Sequence, residues 1–367
     1  MFHPAFHRPL SLEVTRRRWL RTVAAGTAAV VGAAHAQSPQ DKRKVTIAVG
    51  GKTALFCLPL TIAEQLKYFS DEGLDVELMD HAGGSLAQQS LLQGRADVAV
   101  GGLEHAILLR QRGYSCRAFA FLGRAPQVVF GVNPRTLPDF KTMAQLKGHR
   151  IGVSATDSLT HWFAQMLMAR HGLSHRDVEY VGVGTSTAAA SAVREGRVDA
   201  IASIDPVISM LEFRGDIRVL ADTRSLRGTQ DLYGGPMPGA CLYAPQAFVV
   251  RYAQTVQSLA NAILRALKWL QTAGPSDIVR AVPEAYMYGD RAIYLAALEK
   301  AREAMSPDGM VSDEGVAVAH RIVAQYPPTG VTAVRAQSPG ATYTNEFVRR
   351  AKQRFQVSGL GTGPAPG

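Results

Sequence analysis

The chain has 367 residues, with 40 Lys and Arg against 30 Asp and Glu and a formal net charge of +10. Five of the arginines lie within residues 1–36, and no basic segment is interleaved with aromatic residues, so the charge does not indicate a nucleic-acid-binding protein. The three cysteines, Cys57, Cys116 and Cys241, are odd in number and far apart, which excludes complete internal pairing and a C-x-x-C metal or redox site.

The first 36 residues have the segment order of an export signal. Arg16-Arg17 followed by Trp19-Leu20 is the twin-arginine form, and the apolar stretch over residues 22–33 is too short to span ~30 Å of hydrocarbon as a helix. Ala34-His35-Ala36 then provides a small-x-small cleavage site. We therefore predict a twin-arginine signal peptide over residues 1–36, export by the twin-arginine machinery, cleavage near Ala36 and a soluble periplasmic protein. A basic amphipathic leader or a chance cluster of arginines is the alternative.

Two segments about a hundred residues apart repeat one pattern. Gly94-Arg95-Ala96-Asp97 and Gly196-Arg197-Val198-Asp199 each follow a helical run and precede an apolar strand, and the offset between the two glycines is 102. Glycine is the usual left-handed residue just past a helix end because it has no Cβ to clash. The helix starts that precede them, at Ser85 and Thr187, are also 102 apart. This duplicated β-α-β-α-β pattern predicts two similar lobes with space for a ligand between them.

Hydrophobic periodicity and turn residues give the elements in chain order. Strands are predicted at residues 45–49, 75–79, 97–100, 117–122, 127–132, 150–154, 178–181, 200–203, 217–222 and 241–244. Helices are predicted near residues 60–69, 85–93, 105–112, 159–171, 187–195, 206–213, 249–272, 290–305, 313–325 and 345–355. We assign residues 44–132 to the first part of lobe one, 133–222 to lobe two, 223–357 to a crossover and helices that return to lobe one, and 358–367 to a disordered tail.

Polar, glycine-rich turns follow the strands in both halves. They include Gly83-Gly84-Ser85 in the first half, and Thr156–His161 and Gly184–Thr187 in the second. In open α/β sheets, ligands bind beyond the carboxyl ends of the strands, where helix N-termini direct N–H groups and positive dipole ends at an anion. Ser, Thr and Gly also cap helices that bind nothing, but their recurrence in both halves favours a ligand site.

At these turns the chain resembles the periplasmic solute-binding proteins of nitrate-, sulfonate- and taurine-type ABC importers, a group that includes binders of a thiamine precursor. The resemblance rests on the motifs Gly83-Gly84-Ser85, Gly94–Asp97, Leu146–Val153, Ser158–His161 and Gly196–Ala200. The resemblance implies an α/β, two-lobed type II periplasmic-binding-protein fold, in which each lobe is a mixed sheet flanked by helices and the ligand cleft lies between the lobes. It also implies a small-molecule ligand and an ABC permease in the inner membrane as partners.

The resemblance places ligand-binding residues on both sides of that cleft. Lobe one offers Thr53, Phe56, Ser85 and Glu104, and lobe two offers Ser158, Thr160, His161, Thr185 and Asp205. Family members often have Trp-acid-Pro where this chain has Ile204-Asp205-Pro206, so stacking on a ring ligand is less supported. The carboxylates and the histidine are suited to receive a donor group of a zwitterion, although Glu104 and Asp205 could equally cap helices.

Two classes of function fit this fold. The first is a binding protein that captures a small organic anion or zwitterion by lobe closure and delivers it to the permease. The second is an enzyme on the same scaffold, of the pyrimidine-precursor-synthase or menaquinone-pathway-dehydratase type. The chain has no H-E-x-x-H, G-x-S-x-G, Walker or G-x-G-x-x-G motif, and its leader disfavours cytosolic biosynthesis. We therefore expect a non-enzymatic protein with no cofactor, no metal and no nucleic-acid partner.

Overall fold

The computed structural model describes residues 41–328, 331 and 338–357. The predicted signal peptide and the predicted tail lie outside these residues. The described chain forms two five-stranded mixed sheets with helices around them, which confirms the predicted two-lobed α/β fold. None of its helices has the length and hydrophobicity that crossing a membrane requires.

The sheet of lobe one has the order β2-β1-β3-β10-β4. β1 pairs in parallel with β2 and β3, whereas β10 is antiparallel to β3 and β4. The strands are β1 Lys44–Val49, β2 Asp75–Asp80, β3 Val98–Gly102, β4 Cys116–Phe121 and β10 Ala240–Pro245.

The sheet of lobe two repeats this arrangement in the order β7-β6-β8-β5-β9. β6 is parallel to β7 and β8, and β5 is antiparallel to β8 and β9. The strands are β5 Val129–Val132, β6 Arg150–Val153, β7 Glu179–Gly182, β8 Ala200–Ser203 and β9 Arg218–Asp222.

The chain passes between the sheets twice. It crosses after β4 to reach β5, and it returns after β9 to reach β10. The predicted strands at 117–122 and 127–132 are therefore the two sides of the first crossing. β5 precedes the division that we predicted at residue 133, yet it pairs within the second sheet, because its apolar run supplies the strand between β8 and β9.

Helices cover the faces of both sheets. They are α1 Leu58–Gln65, α2 Tyr68–Asp71, α3 Gly84–Leu92, α4 Leu103–Gln111, α5 Leu159–Arg170, α6 Thr187–Arg194, α7 Val207–Phe213, α8 Leu226–Tyr233, α9 Gln246–Arg251, α10 Ala253–Thr272, α11 Pro275–Ala281, α12 Arg291–Arg302, α13 Asp313–Gln325 and α14 Glu346–Val357. The predicted helix over 249–272 is interrupted at Tyr252, whose φ of −113° and ψ of 44° are not helical. The short helices α8 and α11 were not predicted; α8 buries only Thr229 and Tyr233, and α11 buries only Ile278.

The repeated Gly-Arg-x-Asp motif has one structural role in both lobes. Gly94 and Gly196 have φ of 68° and 67°, the left-handed conformation predicted for a residue past a helix end. Asp97 Oδ2 accepts a hydrogen bond from Thr46 N–H at 3.1 Å, and Asp199 Oδ2 accepts one from Arg150 N–H at 3.0 Å. Each aspartate thus ties β1 or β6 to the strand that follows its motif, β3 or β8.

The three cysteines are buried, unpaired thiols. Burial raises the pKa of Cys116 to about 11 and the pKa of Cys57 well above its ordinary value. These thiols therefore remain protonated at neutral pH and pack as small apolar side chains.

Candidate functional site

A pocket lies between the two sheets, where the parallel strands of both lobes end. Gly50 follows β1, and Gly101 and Gly102 end β3 on the lobe-one side. Ser154 follows β6, and Ile204 follows β8 on the lobe-two side. This pocket, which we name the first chamber, contains about 430 Å³ of empty space with its open mouth included. Its position is the one that the sheet topology predicts for a ligand.

Three buried hydroxyls form a triangle on the lobe-two wall of the first chamber. Ser154 Oγ lies 2.9 Å from Ser158 Oγ and 2.8 Å from Thr160 Oγ1, and the last two atoms are 2.9 Å apart. Ser158 Oγ donates to Ala155 O at 2.7 Å, and Thr160 Oγ1 accepts from Ser154 N–H at 2.9 Å. Each hydroxyl thus holds the others in place. Ser154 Oγ donates its proton to Ser158 Oγ and Ser158 Oγ donates to Ala155 O, so the Thr160 proton is the one of the three that can turn to a ligand while these two bonds stay.

Helix N-termini from both lobes reach the same chamber. Gly84 begins α3, and Leu159 begins α5, whose N-cap Ser158 accepts a hydrogen bond from His161 N–H. Thr185 lies just before α6, whose N-cap is Ser186. The first N–H groups of a helix have no partner within the helix and carry the positive end of its dipole. The predicted hydroxyl cap is present at α5 and α6, but α3 is capped by Gly83 without a side-chain hydrogen bond.

The two lobes touch each other around this chamber. Leu55 N–H in lobe one donates to Asp205 O in lobe two at 2.9 Å. A Cβ placed on Gly83 would lie 2.7 Å from Ala155 Cβ, and one placed on Gly51 would lie 2.4 Å from Thr185 Oγ1. Glycine at positions 51 and 83 therefore allows the lobe-one backbone to approach lobe two more closely than any side chain would permit.

A second chamber adjoins the first. The two chambers share His105, Ser158 and Leu159, and the second contains about 470 Å³ of empty space with its mouth included. Glu104 from α4 and His161 from α5 both line it. Burial raises the pKa of Glu104 to about 7, and burial together with the nearby Arg112 charge lowers the pKa of His105 to about 4.

The structure brings most of the predicted site residues to these chambers. Phe56, Ser158, Thr160 and Thr185 line the first chamber. Glu104 and His161 line the second. Asp157 N–H donates to His161 Nδ1 at 2.8 Å, and burial lowers the pKa of that ring, so it is a neutral group held by its own helix start.

Three predicted residues occupy other positions. Thr53 Oγ1 lies at hydrogen-bonding distance from Tyr288 OH, in a contact beside the chambers. Ser85 is the second residue of α3 and is partly exposed, outside the lining of both chambers. Asp205 is buried, and its carboxylate is engaged by protein groups.

The contacts of Asp205 give it a structural role. Its Oδ1 accepts from Ser209 N–H at 2.8 Å in α7, and its Oδ2 lies 3.3 Å from Arg224 Nη1. Arg224 also pairs with Asp222 and Glu212. Both carboxylate oxygens are therefore satisfied, and it is the main-chain oxygen of Asp205 that faces the opposite lobe.

Sequence reasoning missed two residues that the structure places in the site. Ser154 completes the hydroxyl triangle, and His105 lines both chambers. A Cβ on Gly101 would lie 2.3 Å from His105 Nδ1, and one on Gly102 would lie 2.1 Å from Glu104 Oε2. The Gly101-Gly102 pair before α4 was the available signal, because it leaves the space that these two side chains fill. In the described part of the chain, no three His, Cys, Asp or Glu side chains are grouped as metal ligands.

The chain is similar to one known protein family and to several solved structures. A sequence model of the family described as "NMT1/THI5 like" matches residues 57–275. A solved structure of a protein from Bordetella bronchiseptica RB50 is 47% identical, and the match covers 86% of this chain and 98% of that one, with a TM-score of 0.83.

Two more distant relatives have names that state a role. YtlA of Bacillus subtilis, named as a binding protein, is 22% identical over 302 residues, which are 81% of this chain and 88% of that protein. The alkanesulfonate-binding protein SsuA of Xanthomonas axonopodis, solved with bound MOPS, is 20% identical with a TM-score of 0.52. That match covers 88% of this chain and 96% of SsuA, and it shows the shared fold.

Proposed function

This chain belongs to the NMT1/THI5-like family, and from that premise we propose that it is the solute-binding component of an ABC importer. It captures a small organic anion or zwitterion between its lobes and delivers it to a permease in the inner membrane. The observation that carries the proposal is the first chamber, to which both sheets contribute strand ends and helix N-termini. The names of YtlA and SsuA, a binding protein and an alkanesulfonate-binding protein, support it.

The first chamber is suited to an anion although no lysine or arginine is among its described lining residues. The N-termini of α3 and α5 provide N–H donors and positive dipole ends. Thr160 provides a hydroxyl that can rotate to donate, and Ser158 Oγ can donate to the solute when its proton leaves Ala155 O. Such groups bind a sulfonate, a carboxylate or nitrate without introducing a buried cation that would need a partner in the empty protein.

Lobe closure provides the mechanism of capture and release. A solute held by the hydroxyls of lobe two and the helix N-terminus of lobe one stabilises the arrangement in which Leu55 and Asp205 are bonded across the cleft. Hinge movement about the two crossing segments opens the chamber. The permease recognises the closed form, so only loaded protein delivers solute.

The proposal includes export to the periplasm by the twin-arginine route, with a signal peptide over residues 1–36. It also includes a binding role in preference to an enzyme on the same scaffold, because both relatives with stated roles are binding proteins.

The test uses two helix-capping serines that differ in location. Ser158 caps α5 in the first chamber, whereas Ser312 caps α13 outside both chambers. Ser158→Ala and Ser312→Ala each lose a cap worth about 1 kcal/mol of stability. Only Ser158→Ala also removes a hydroxyl from the ligand, where hydrogen bonds to charged groups contribute about 1.5–3 kcal/mol.

Calorimetric titration of wild-type protein with nitrate, C2–C4 alkanesulfonates, their ω-amino derivatives and C2–C4 carboxylates should therefore identify a bound solute. Its Kd should rise about tenfold or more in Ser158→Ala and remain unchanged in Ser312→Ala. Equal effects of the two substitutions would place the solute elsewhere. Consumption of a solute by the pure protein would contradict the binding role.

A further inference from the structure

We propose that the second chamber is a subsite for the protonated amine of the solute, with Glu104 as its acceptor, and that the solute is a zwitterion whose anionic end occupies the first chamber. This inference rests on the proposed solute-binding function and narrows its substrate class.

Glu104 is a buried carboxylate that lacks a partner among the described residues. It is 1% exposed, and neither carboxylate oxygen has a hydrogen-bonding partner on another described residue. The described part of the chain places no Lys or Arg side chain within ion-pair distance of it. A buried carboxylate without partners is costly, and natural sites retain such a group where a ligand satisfies it.

The groups around Glu104 are neutral acceptors and hydroxyls. The His105 ring, whose Nε2 is 3.8 Å from Glu104 Oε1, is kept neutral by burial. Tyr233 from α8 and Tyr243 from β10 are buried, and the nearby Glu104 charge raises their pKa further. Burial and the Glu104 charge also raise the pKa of Cys241 in β10. A positive charge is therefore the missing complement in this part of the chamber.

The charged groups on the other walls of the second chamber do not supply that positive charge. Arg112 from α4 and Asp157 before α5 also line the second chamber, but both are exposed to solvent. His161 from α5 is neutral and bonded to Asp157 N–H. Glu104 is thus the one buried carboxylate among the described residues that line the chamber.

The two chambers adjoin each other. His105, Ser158 and Leu159 line both of them, so the proposed anion position beside Ser158 and the carboxylate of Glu104 lie in neighbouring chambers. We expect a solute with two to four carbons between its anionic and amine groups to reach from one chamber to the other. The Cβ that Gly102 lacks would occupy the position of the Glu104 carboxylate, so the sequence keeps this group in place.

Binding of an amine to ionised Glu104 depends on pH. Burial raises the pKa of Glu104 to about 7 in the empty protein, and an amine pairs only with the ionised form. Affinity for an amino solute should therefore rise between pH 6 and pH 8 as the carboxyl loses its proton. A neutral solute that accepts a hydrogen bond from protonated Glu104 would show the opposite dependence.

The experiment compares 3-aminopropanesulfonate with propanesulfonate, and 4-aminobutyrate with butyrate, by calorimetry at pH 6 and pH 8. Wild-type protein should bind one amino compound at least tenfold more tightly than its deaminated partner at pH 8. Glu104→Gln should abolish that preference and its pH dependence. The control Asp157→Asn removes an exposed carboxylate from the same chamber and should keep the preference.

Equal binding of amino and deaminated compounds overturns the zwitterion proposal while leaving solute binding intact. Loss of the preference in Asp157→Asn but not in Glu104→Gln overturns the assignment of Glu104. If none of the four compounds binds wild-type protein, the zwitterion proposal is overturned. The wider panel described above then decides separately whether solute capture itself stands.

Discussion

At the scale of single residues, the chemistry of this protein is set by what surrounds each polar side chain. Asp205 and Glu104 are both buried carboxylates beside helix starts, and sequence reasoning treated them alike. Arg224 and Ser209 N–H satisfy Asp205, whereas the neighbours of Glu104 leave its oxygens without partners. The bond from Ser209 N–H is local and agrees with the helix-capping alternative for Asp205, whereas Arg224 lies 19 residues away, so no local pattern could show the ion pair.

Glu104 should make stability depend on pH even without a ligand. Its pKa is about 7 in the folded protein and ordinarily 4.5, so between these values the folded state binds more protons than the unfolded state. Stability therefore falls as pH rises from 4.5 to 7, by roughly 3 kcal/mol in total. Glu104→Gln removes this effect, and urea unfolding should show the variant gaining stability relative to wild type between pH 4.5 and pH 8.

Glu77→Gln is the matched control for this measurement. Glu77 lies exposed on β2, so its substitution should leave the difference from wild type constant across the same pH range. Parallel profiles for wild type and Glu104→Gln would mean that Glu104 is not held protonated by its surroundings.

At the scale of elements, the internal repeat was the most informative part of the sequence. It predicted the paired lobes, the left-handed glycines and most strands, because these depend on local backbone geometry and on short-range hydrophobic periodicity. The family resemblance drawn from the same motifs is confirmed by the family match. The place of β10 within the first sheet and the partners of Asp205 were not predictable, because they arise from contacts across more than a hundred residues or between different elements.

The repeated aspartate should contribute measurably to the free energy of unfolding. Asp199 Oδ2 accepts from Arg150 N–H and lies near His149. Burial alone would raise the pKa of Asp199, but these hydrogen bonds and the Arg150 charge outweigh it and lower the pKa. Asp199→Ala should reduce the free energy of unfolding by about 2 kcal/mol near neutral pH, with the difference shrinking as pH falls below the ordinary Asp range.

Asp75→Ala provides the comparison for that substitution. Asp75 is an exposed residue at the start of β2, and its loss should change stability by no more than about 0.5 kcal/mol. Chemical denaturation of both variants at pH 7 and at about pH 3 checks the difference. An Asp199→Ala variant as stable as wild type would refute the strand-fixing role of the repeat.

At the scale of the whole molecule, function depends on how closely the lobes meet. Gly83 and Ala155 face each other across the cleft, and an added Cβ on Gly83 would be 2.7 Å from Ala155 Cβ. The backbone of Gly83 is extended, with φ of −172°, so alanine there causes no backbone strain. The substitution therefore obstructs closure without disturbing either lobe.

Gly83→Ala should weaken solute binding about tenfold while changing the free energy of unfolding by no more than about 1 kcal/mol. Small-angle scattering with saturating solute should show a larger radius of gyration than for wild type. Gly182→Ala is the control, because its added Cβ would lie 3.9 Å from Ala155 Cα, an ordinary contact. If both variants close and bind like wild type, this contact does not limit closure.

The strand exchange between the sheets has a consequence for biosynthesis. All five strands of the second sheet come from one continuous stretch that ends at Asp222, so that sheet can assemble as soon as this stretch has left the ribosome. In the first sheet β4 adjoins only β10, and Ala240 follows Phe121 by 119 positions. The nascent polypeptide therefore completes its second sheet before its first, in which β4 lacks a partner strand until β10 has been translated.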